Sequence, residues 1–421
     1  MAKVDYIEKF EQMAPKTLFP KLPSKEQDFI RQRARELRLT FSQLRQVTEM
    51  ARDLFMWRSP SICQIWQAGE QGIFSLPQLQ ESWKKLREQG AVYGDSPPAT
   101  FLGGSQRGKA QMKQQPDRKL LGECPVASES TRCCNLLTLD LILGCGFDCS
   151  YCSIGHFATG ESGYSGAPTD LAKRLEELPL DGDKLYHIGT GQSSDSLLWG
   201  DQEGMLTTLF DFVAAHSNII LELKSKSANS SIFKRQKIPK NVIATWSLNP
   251  QPVIDEEERG CASLAQRLDA AHQVVDLGGL VGFHFHPMVY FTGWQELYSE
   301  IVETIVRRFP VEQVALISMG SVTFTKKVLS KIRRRDFHTK ITQMPLVDAN
   351  GKLSYPLEIK QELFSTLYNS FDSKWHNEVF FYLCMEDQSL WPGIFGMQYK
   401  SNQEFEQAMI QSYWHKIRAL S

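Results

Sequence analysis

The chain has 421 residues and a formal net charge of −1, with 42% hydrophobic and 23% charged residues. This composition is ordinary for a globular protein and excludes bulk disorder, and the near-zero charge excludes a polycation that coats nucleic acid or anionic lipid. Residues 1–12 lack the apolar core of a signal peptide, and no run approaches the roughly 20 apolar residues of a membrane span, so we expect a cytoplasmic protein.

Residues 1–89 are predicted to form a small helical N-terminal domain. Within residues 25–58, apolar side chains recur at helical spacing, which is typical of about two amphipathic helices. Simple helix packing is favoured over a helix-turn-helix, because no turn glycine separates the helices.

Residues 90–130 are rich in Gly, Pro, Gln and Lys and are predicted to be a linker or loop. Lys109, Lys113 and Arg118 in this segment could contact a phosphate backbone. Solvated linker charge is the commoner explanation of such residues.

Residues 131–340 are predicted to form an α/β domain, because short apolar runs alternate with helical patterns. Six successive units favour a partial (β/α)6 TIM-type barrel with its chemistry at the carboxyl ends of the strands. The predicted strands are residues 136–143, 185–190, 219–225, 242–249, 281–289 and 313–320. Residues 341–421 are predicted to be a C-terminal α/β extension with a hairpin at Asn350-Gly351 and a capping helix at 402–419.

The motif GCGFDCSYCSIG follows the first predicted strand and places Cys145, Cys149 and Cys152 at Cys-x3-Cys-x2-Cys spacing. Three thiolates can hold a [4Fe-4S] cluster while one iron stays without a protein ligand. That iron can chelate the amino and carboxylate groups of S-adenosylmethionine. The alternative is a structural zinc site, which needs four ligands. Cys124, Cys133 or Cys134 could supply the fourth.

With this motif the chain resembles the radical S-adenosylmethionine superfamily, and within it the spore photoproduct lyase family, over about residues 135–396. The resemblance includes, in this order, GQSSD, SKSANS, SLNP, LAQRLDAA, VGFHFHP, SMGSVTFT and FYLCMED. It implies a [4Fe-4S] cluster and S-adenosylmethionine as cofactors, an electron donor such as flavodoxin or ferredoxin, and a DNA lesion as substrate.

The resemblance also implies roles for individual residues. Ser194, Lys226 and Ser247 match family positions that contact S-adenosylmethionine from the second, third and fourth strands. Tyr151 matches a tyrosine near the adenosyl group that takes part in radical relay. For each residue alone, an ordinary polar strand end or a packing aromatic is the structural alternative.

Two departures from the family bear on the substrate. Ser153 stands where the family has a second tyrosine, and Gln192 stands where it has a hydrogen-donating cysteine. A glutamine has no weak S–H bond, so either another donor substitutes or the substrate differs. Four cysteines are candidate donors, although buried inert cysteine is the commoner state, and Cys384 in an apolar strand is interpreted as core. These are Cys133, Cys134, Cys261 and Cys384.

Two further groups carry polar chemistry. His284 and His286 alternate on a predicted strand and therefore point to one face, where substrate hydrogen bonding or a satisfied core histidine is favoured over a metal pair. His156 is interpreted as a loop histidine close to the cluster motif. The basic stretch 326–340 precedes the predicted hairpin, a region where the family carries a DNA-inserting hairpin, so it is a candidate phosphate-binding segment.

The leading hypothesis is a radical S-adenosylmethionine enzyme that acts on a nucleic-acid base lesion, with C–C cleavage making it a lyase. A second hypothesis keeps the radical cleavage but changes the substrate to a peptide, a modified RNA base or a small metabolite. A third hypothesis is a nucleic-acid binding protein whose metal is structural.

Overall fold

The structure is a computed structural model that describes residues 5–68, 75–95, 119–124, 130–153, 166–168 and 170–420. The chain divides into two compact units. One unit comprises residues 1–99, 290–292 and 323–354, and the other comprises residues 100–289, 293–322 and 355–421. No helix in the described residues is long and apolar enough to cross a membrane.

The first unit begins with the predicted N-terminal helices. They span Tyr6–Met13, Ser24–Leu37, Phe41–Trp57, Ile62–Gln67 and Leu76–Glu88. Thr40 and Ser61 begin their helices with capping boxes, and Arg38 and Arg58 end theirs in the left-handed conformation. The two amphipathic helices predicted within residues 25–58 are confirmed.

The rest of the first unit comes from a segment far along the chain. It contains the helix Lys326–Arg333 and a three-stranded antiparallel sheet of Thr323–Thr325, Val347–Ala349 and Lys352–Ser354. Asn350 and Gly351 join the last two strands with φ of 54° and 80°, so the predicted hairpin is confirmed. The domain bounds predicted from the sequence divide residues 323–354 between the barrel and the C-terminal extension. In the structure, these residues belong to the same compact unit as the N-terminal helices.

The second unit contains an eight-stranded sheet whose strands follow one another in chain order. The strands are β1 Leu121–Glu123, β2 Leu137–Leu139, β3 Tyr186–Thr190, β4 Ile219–Ser225, β5 Val242–Ser247, β6 Leu280–Met288, β7 Val314–Ser321 and β8 Phe380–Leu383. β1 pairs antiparallel with β2, and every later neighbour pair is parallel. The predicted partial barrel is confirmed, with eight strands in the described chain where the sequence predicted six.

Helices connect these strands and end the chain. They span Leu171–Glu176, Met205–Ala215, Ser231–Arg235, Gln251–Glu257, Leu264–Asp276, Trp294–Arg308, Leu357–Asn369, Ser373–Glu378, Trp391–Phe395 and Asn402–Ala419. The last one has the predicted bounds. Its Tyr413 ring meets His187 of β3 edge-on at 5.4 Å, so this helix packs against residues of the sheet.

Candidate active site

The cysteine motif lies in a loop directly after β2, and glycine is required at two of its positions. Gly144 has φ of 91° and donates its N–H to the Ser193 carbonyl at 3.0 Å. At Gly146 a Cβ atom would lie 2.8 Å from Leu198 Cδ2, which leaves no room for a side chain without movement. The loop is therefore shaped by its contacts with the residues that follow β3.

A second anchor fixes the loop to the segment after the helix Gln251–Glu257. Asp148 and Cys149 pair antiparallel with Arg259 and Glu258, respectively. The Ser150 N–H donates to the Glu257 carbonyl at 2.8 Å, and the Ser150 hydroxyl donates to the Glu257 carboxylate. Both Ser150 and Glu257 are fully buried, so this attachment is shielded from water.

The three cysteines of the motif are neighbours in space. Cys149 is buried, Cys145 and Cys152 are partly exposed, and the Cys152 N–H donates to the Cys149 carbonyl at 3.3 Å. Burial raises the pKa of the Cys145 thiol well above its usual value, and the nearby Asp195, Cys149 and Cys152 raise it further. A bound cation would stabilise the thiolates against both effects.

The chemistry of this donor set fits an iron–sulfur cluster, because thiolates are soft ligands that bind iron. Two thiolates on one zinc ion lie about 4 Å apart, whereas the cysteines of a cubane bind different iron atoms and stand farther apart. In the described residues, no three His, Cys, Asp or Glu side chains surround one metal-ion position. Cys145, Cys149 and Cys152 would hold the cluster and leave one iron for another ligand.

A fourth thiol, which the cysteine spacing does not reveal, lies beside the motif. The Sγ atoms of Cys149 and Cys261 are 3.5 Å apart. Cys261 reaches this position because it closely follows the strand pair that anchors the loop. Burial and the Cys149 thiol raise the pKa of Cys261 well above its usual value. The sequence had offered Cys261 only as one of several candidate donors.

Tyr151 belongs to a buried network centred on the Glu258 carboxylate. Glu258 accepts hydrogen bonds from the Tyr151 hydroxyl, the Arg267 guanidinium and Asn249 Nδ2, the last at 2.8 Å. Lys226 Nζ lies 3.6 Å from Glu258 and 5.7 Å from the centre of the Tyr151 ring. Burial alone would raise the pKa of Glu258, but Arg267 and then Lys226 outweigh it and lower the pKa to about 2.

This network fixes the direction of the Tyr151 hydroxyl group. A carboxylate only accepts hydrogen bonds, so the phenolic proton points at Glu258. Burial first, and then the negative charge of Glu258, raise the pKa of Tyr151 well above its usual value. Sequence reasoning missed Glu258 and Arg267, and the nearest signal was the LAQRLDAA motif, which contains Arg267.

Ser194 and its neighbour Asp195 hold the end of β3 to the cysteine loop and to β4. The Ser194 hydroxyl donates to the Gly144 carbonyl at 2.9 Å and accepts from the Trp199 indole N–H at 3.0 Å. Asp195 accepts from the backbone N–H groups of Leu197, Leu198 and Lys226 and from the Ser225 hydroxyl. Ser194 thus bonds the backbone of the cysteine loop, and Asp195 is an organising residue that the sequence analysis omitted.

The other predicted site residues lie at the carboxyl ends of neighbouring strands. Ser247 ends β5, is buried, and accepts a hydrogen bond from Arg267 at its carbonyl, at 2.8 Å. Gln192 follows Gly191, which turns the chain after β3 with φ of 87°. In the described structure the side chain of Gln192 is partly exposed and makes no hydrogen bond. Strand order therefore brings Ser194, Lys226 and Ser247 to one edge of the sheet.

The two histidines of β6 belong to a polar layer inside the barrel. His284 Nε2 lies 2.6 Å from Glu222 Oε1 of β4, and His286 Nε2 lies 2.7 Å from the Ser318 hydroxyl of β7. Burial, and then the Lys224 ammonium, lower the pKa of His284 to about 4, so the ring is neutral. Nε2 of each histidine has a protein partner, whereas His284 Nδ1 is buried without one in the described residues. Substrate hydrogen bonding by these residues stays a prediction.

Cys384 was interpreted as a core residue, and the structure corrects this in part. It directly follows β8, and its N–H donates to the Met319 carbonyl at 2.8 Å. The side chain is partly exposed, although burial raises the pKa of its thiol to about 12. His156 and the linker residues Lys109, Lys113 and Arg118 lie outside the described residues.

The basic stretch 326–340 belongs to the first unit, and several of its charges have structural roles there. Arg333 donates to both carboxylate oxygens of the buried Asp53 at 2.8 Å. Lys340 is buried and donates to the Val92 carbonyl, and Lys326 Nζ lies 3.4 Å from Asp348. The number of cations that could meet a phosphate backbone is thus smaller than the sequence indicated.

Comparison with known proteins gives the following matches. Residues 192–350 match the family model described as spore photoproduct lyase. A solved spore photoproduct lyase complexed with dinucleoside spore photoproduct shares 18% identity with a TM-score of 0.56, over 72% of this chain and 94% of that chain. A mutant spore photoproduct lyase with bound AdoMet and dinucleoside spore photoproduct shares 17% identity with a TM-score of 0.55, over 73% and 94%. No curated protein sequence matches the chain.

The two solved structures share the fold of this chain at low identity, and the family-model match begins after the cysteine loop and covers β4 to β7. Its range begins at Gln192 and includes Lys226, Ser247 and Glu258. The chain is therefore similar to the spore photoproduct lyase family of radical S-adenosylmethionine enzymes, with the family-model match confined to residues 192–350.

Proposed function

We propose that this protein cleaves S-adenosylmethionine reductively at a [4Fe-4S] cluster held by Cys145, Cys149 and Cys152. The observation that carries the proposal is the cysteine loop, which brings three neighbouring thiols to the carboxyl end of the first parallel strand. When bound, the cluster supplies one electron to S-adenosylmethionine, which releases methionine and a 5′-deoxyadenosyl radical that removes hydrogen from the substrate. A small one-electron carrier such as flavodoxin or ferredoxin is the proposed electron donor.

The residues at the strand ends have separate proposed roles. Ser194 supports the loop backbone through the Gly144 carbonyl and is proposed to contact S-adenosylmethionine. Lys226 and Ser247 are proposed to bind S-adenosylmethionine, and the Lys226 ammonium suits its carboxylate. Glu258 and Asn249 hold Tyr151 in one orientation, so that the ring forms a fixed wall of the site.

The proposed substrate is a nucleic-acid base lesion, and the reaction is C–C bond cleavage. Two observations support this choice: the family-model match and the two structural relatives, which were solved with dinucleoside spore photoproduct. Tyr151 and Gln192 are the proposed residues at the reacting end of the substrate. Gln192 cannot donate a hydrogen atom as a thiol does, so the reaction ends with a different donor.

A radical enzyme with another substrate is the second candidate, and Gln192 is the observation that favours it. A peptide, a modified RNA base or a small metabolite would not require a thiol at that position. The paired charges of the segment 326–340 point the same way, because fewer cations remain there for a phosphate backbone.

The test uses anaerobically reconstituted full-length protein, dithionite and S-adenosylmethionine, with ultraviolet-irradiated spore-type DNA or undamaged DNA. We expect 5′-deoxyadenosine in all reactions and loss of the lesion only with damaged DNA, with deuterium from labelled substrate in 5′-deoxyadenosine. Formation of 5′-deoxyadenosine without lesion loss would favour the second candidate. Absence of 5′-deoxyadenosine would contradict radical chemistry and favour a structural metal in a nucleic-acid binding protein.

A further inference from the structure

The side chain of Lys224 projects into the barrel from β4, beside the polar layer around Glu222. Residues two apart on a strand share a face, and Glu222 faces the interior because it bonds His187 and His284. Lys224 also interacts electrostatically with His286 and Cys384, which come from β6 and the end of β8. The ammonium therefore lies inside the barrel, partly accessible, among residues of at least three strands.

Within the described residues, the Lys224 ammonium makes no hydrogen bond and no ion pair within 4.0 Å. Its nearest counter-charge, Glu222, is already occupied at both oxygens. Oε1 accepts from His284 at 2.6 Å and from Thr245 at 2.9 Å, and Oε2 accepts from His187 at 3.0 Å. Glu222 thus balances the charge of Lys224 at a distance and accepts no hydrogen bond from its ammonium.

Lys226, the other lysine at this strand end, has bonded partners, unlike Lys224. Lys226 Nζ donates to the His286 carbonyl at 3.3 Å and lies 3.6 Å from Glu258. Burial lowers the pKa of Lys224, but Glu222, together with smaller contributions from Cys384, Cys124 and Cys134, raises it overall, so the group stays charged. The charged ammonium has three N–H donors, and at this partly accessible position an anionic ligand can accept hydrogen bonds from them in place of water.

The surroundings favour an anion as the source of these acceptors. His284 and His286 are neutral at physiological pH, since burial lowers the pKa of both rings. At Gly320 of β7 a Cβ atom would lie 3.2 Å from His286 Nε2 and 3.1 Å from the Cys384 carbonyl. Glycine at this position therefore avoids a tight contact inside the barrel. Among the described residues on this wall, the Lys224 ammonium is the only charged group without a bonded partner. A group that enters here therefore meets a positive charge.

We propose that Lys224 binds an oxyanion of the substrate, namely the phosphodiester that joins the two nucleosides of a dinucleotide lesion. This inference rests on the proposed function and names the substrate group that enters the barrel. One ammonium matches the single negative charge of one phosphodiester. A lysine binds phosphate as a point charge, without the planar two-oxygen geometry that an arginine–carboxylate pair uses.

The test measures binding by the reconstituted full-length protein under anaerobic conditions, with S-adenosylmethionine present and no reductant. The two probes are the dinucleotide spore photoproduct with its phosphodiester and the same lesion with an uncharged methylphosphonate linkage. We expect unaltered protein to bind the charged probe about 10- to 100-fold more tightly, the ratio typical of one charge-assisted hydrogen bond. This comparison changes only the ligand, so it does not depend on the folding of a variant.

Three variants locate the effect. Lys224→Met should reduce the ratio between the probes to about one, Lys224→Arg should keep most of it, and the exposed control Lys234→Met should keep all of it. Equal binding of both probes by unaltered protein, or a full ratio in Lys224→Met, would overturn the proposal. Failure of both probes to bind would overturn it as well.

The proposed function is tested separately by 5′-deoxyadenosine formation in unaltered, reduced protein. A protein that forms 5′-deoxyadenosine but shows no preference between the probes would retain the radical chemistry and lose the role of Lys224. A protein that prefers the charged probe but forms no 5′-deoxyadenosine would bind the lesion without the proposed reaction.

Discussion

The substitution Glu258→Gln removes the carboxylate that pairs with the buried Arg267 guanidinium. Both side chains have no exposed surface, and Glu258 also accepts from Tyr151 and Asn249. Breaking a buried ion pair on one side costs about 3–5 kcal/mol, because an uncompensated charge stays behind. We expect the free energy of unfolding of the barrel unit to fall by this amount at neutral pH.

The acid titration of Glu258 gives a second figure for the same interaction. Its pKa is about 2 in the folded chain, compared with about 4.3 in an unfolded one, and two units correspond to about 3 kcal/mol. Because the pKa of Glu258 is lower in the folded chain than in the unfolded one, its ionisation stabilises the fold at pH values above the unfolded pKa. This contribution is lost as the pH falls from about 4 toward 2. Unaltered protein should therefore lose its advantage over Glu258→Gln in that window.

The assay is urea unfolding combined with hydrogen exchange of peptides that cover residues 251–276, because the chain has two compact units. The matched control is the double variant Glu258→Gln with Arg267→Met, which removes both charges and should recover part of the loss. A loss below about 1 kcal/mol in the single variant would refute the reasoning. Equal losses at pH 7 and pH 2.5 would refute the titration argument.

Two further substitutions test the loop and the N-terminal unit. Gly146→Ala places a Cβ atom 2.8 Å from Leu198, so we expect a loss of about 1–3 kcal/mol in unfolding free energy and weaker iron retention. Unfolding and iron analysis measure the two effects, with Gly182→Ala at an open position as control. Asp53→Asn removes the carboxylate that binds Arg333 at 2.8 Å and leaves it only the more distant Glu49 at 3.7 Å, so the first unit should lose about 2–3 kcal/mol by hydrogen exchange while the barrel peptides stay unchanged. Unchanged protection in the helix Phe41–Trp57 would contradict the second expectation.

Elements with a strong local pattern could be predicted from the sequence. The helices Ser24–Leu37 and Phe41–Trp57 follow from apolar side chains at helical spacing, and the parallel strands follow from apolar runs between helices. β2 proved shorter than predicted, at Leu137–Leu139, because the apolar run continues into the cysteine loop without pairing. β1 was missed, since Leu121–Glu123 lies in a segment whose composition indicates a linker.

Contacts between distant residues could not be predicted in this way. Cys261 meets Cys149 only because a two-residue strand pair joins segments 112 residues apart. Asp53 pairs with Arg333 across 280 residues, so the basic stretch resembled a free surface in sequence. Glu258 lies in a run of four acidic residues, Asp255–Glu258, which resembles a solvated helix face, and only the tertiary structure buries it against Arg267.

The central claim is that Cys145, Cys149 and Cys152 hold the cluster, and iron content with electron paramagnetic resonance tests it most directly. The comparison uses the Cys145→Ala, Cys149→Ala, Cys152→Ala triple variant and a control with alanine at Cys133, Cys134 and Cys384, all reconstituted anaerobically. We predict about four irons per chain, and a reduced-cluster signal altered by S-adenosylmethionine, in the unaltered protein and the control, with both lost in the triple variant. A triple variant that keeps its iron and its signal, or a control that loses them, would contradict the account.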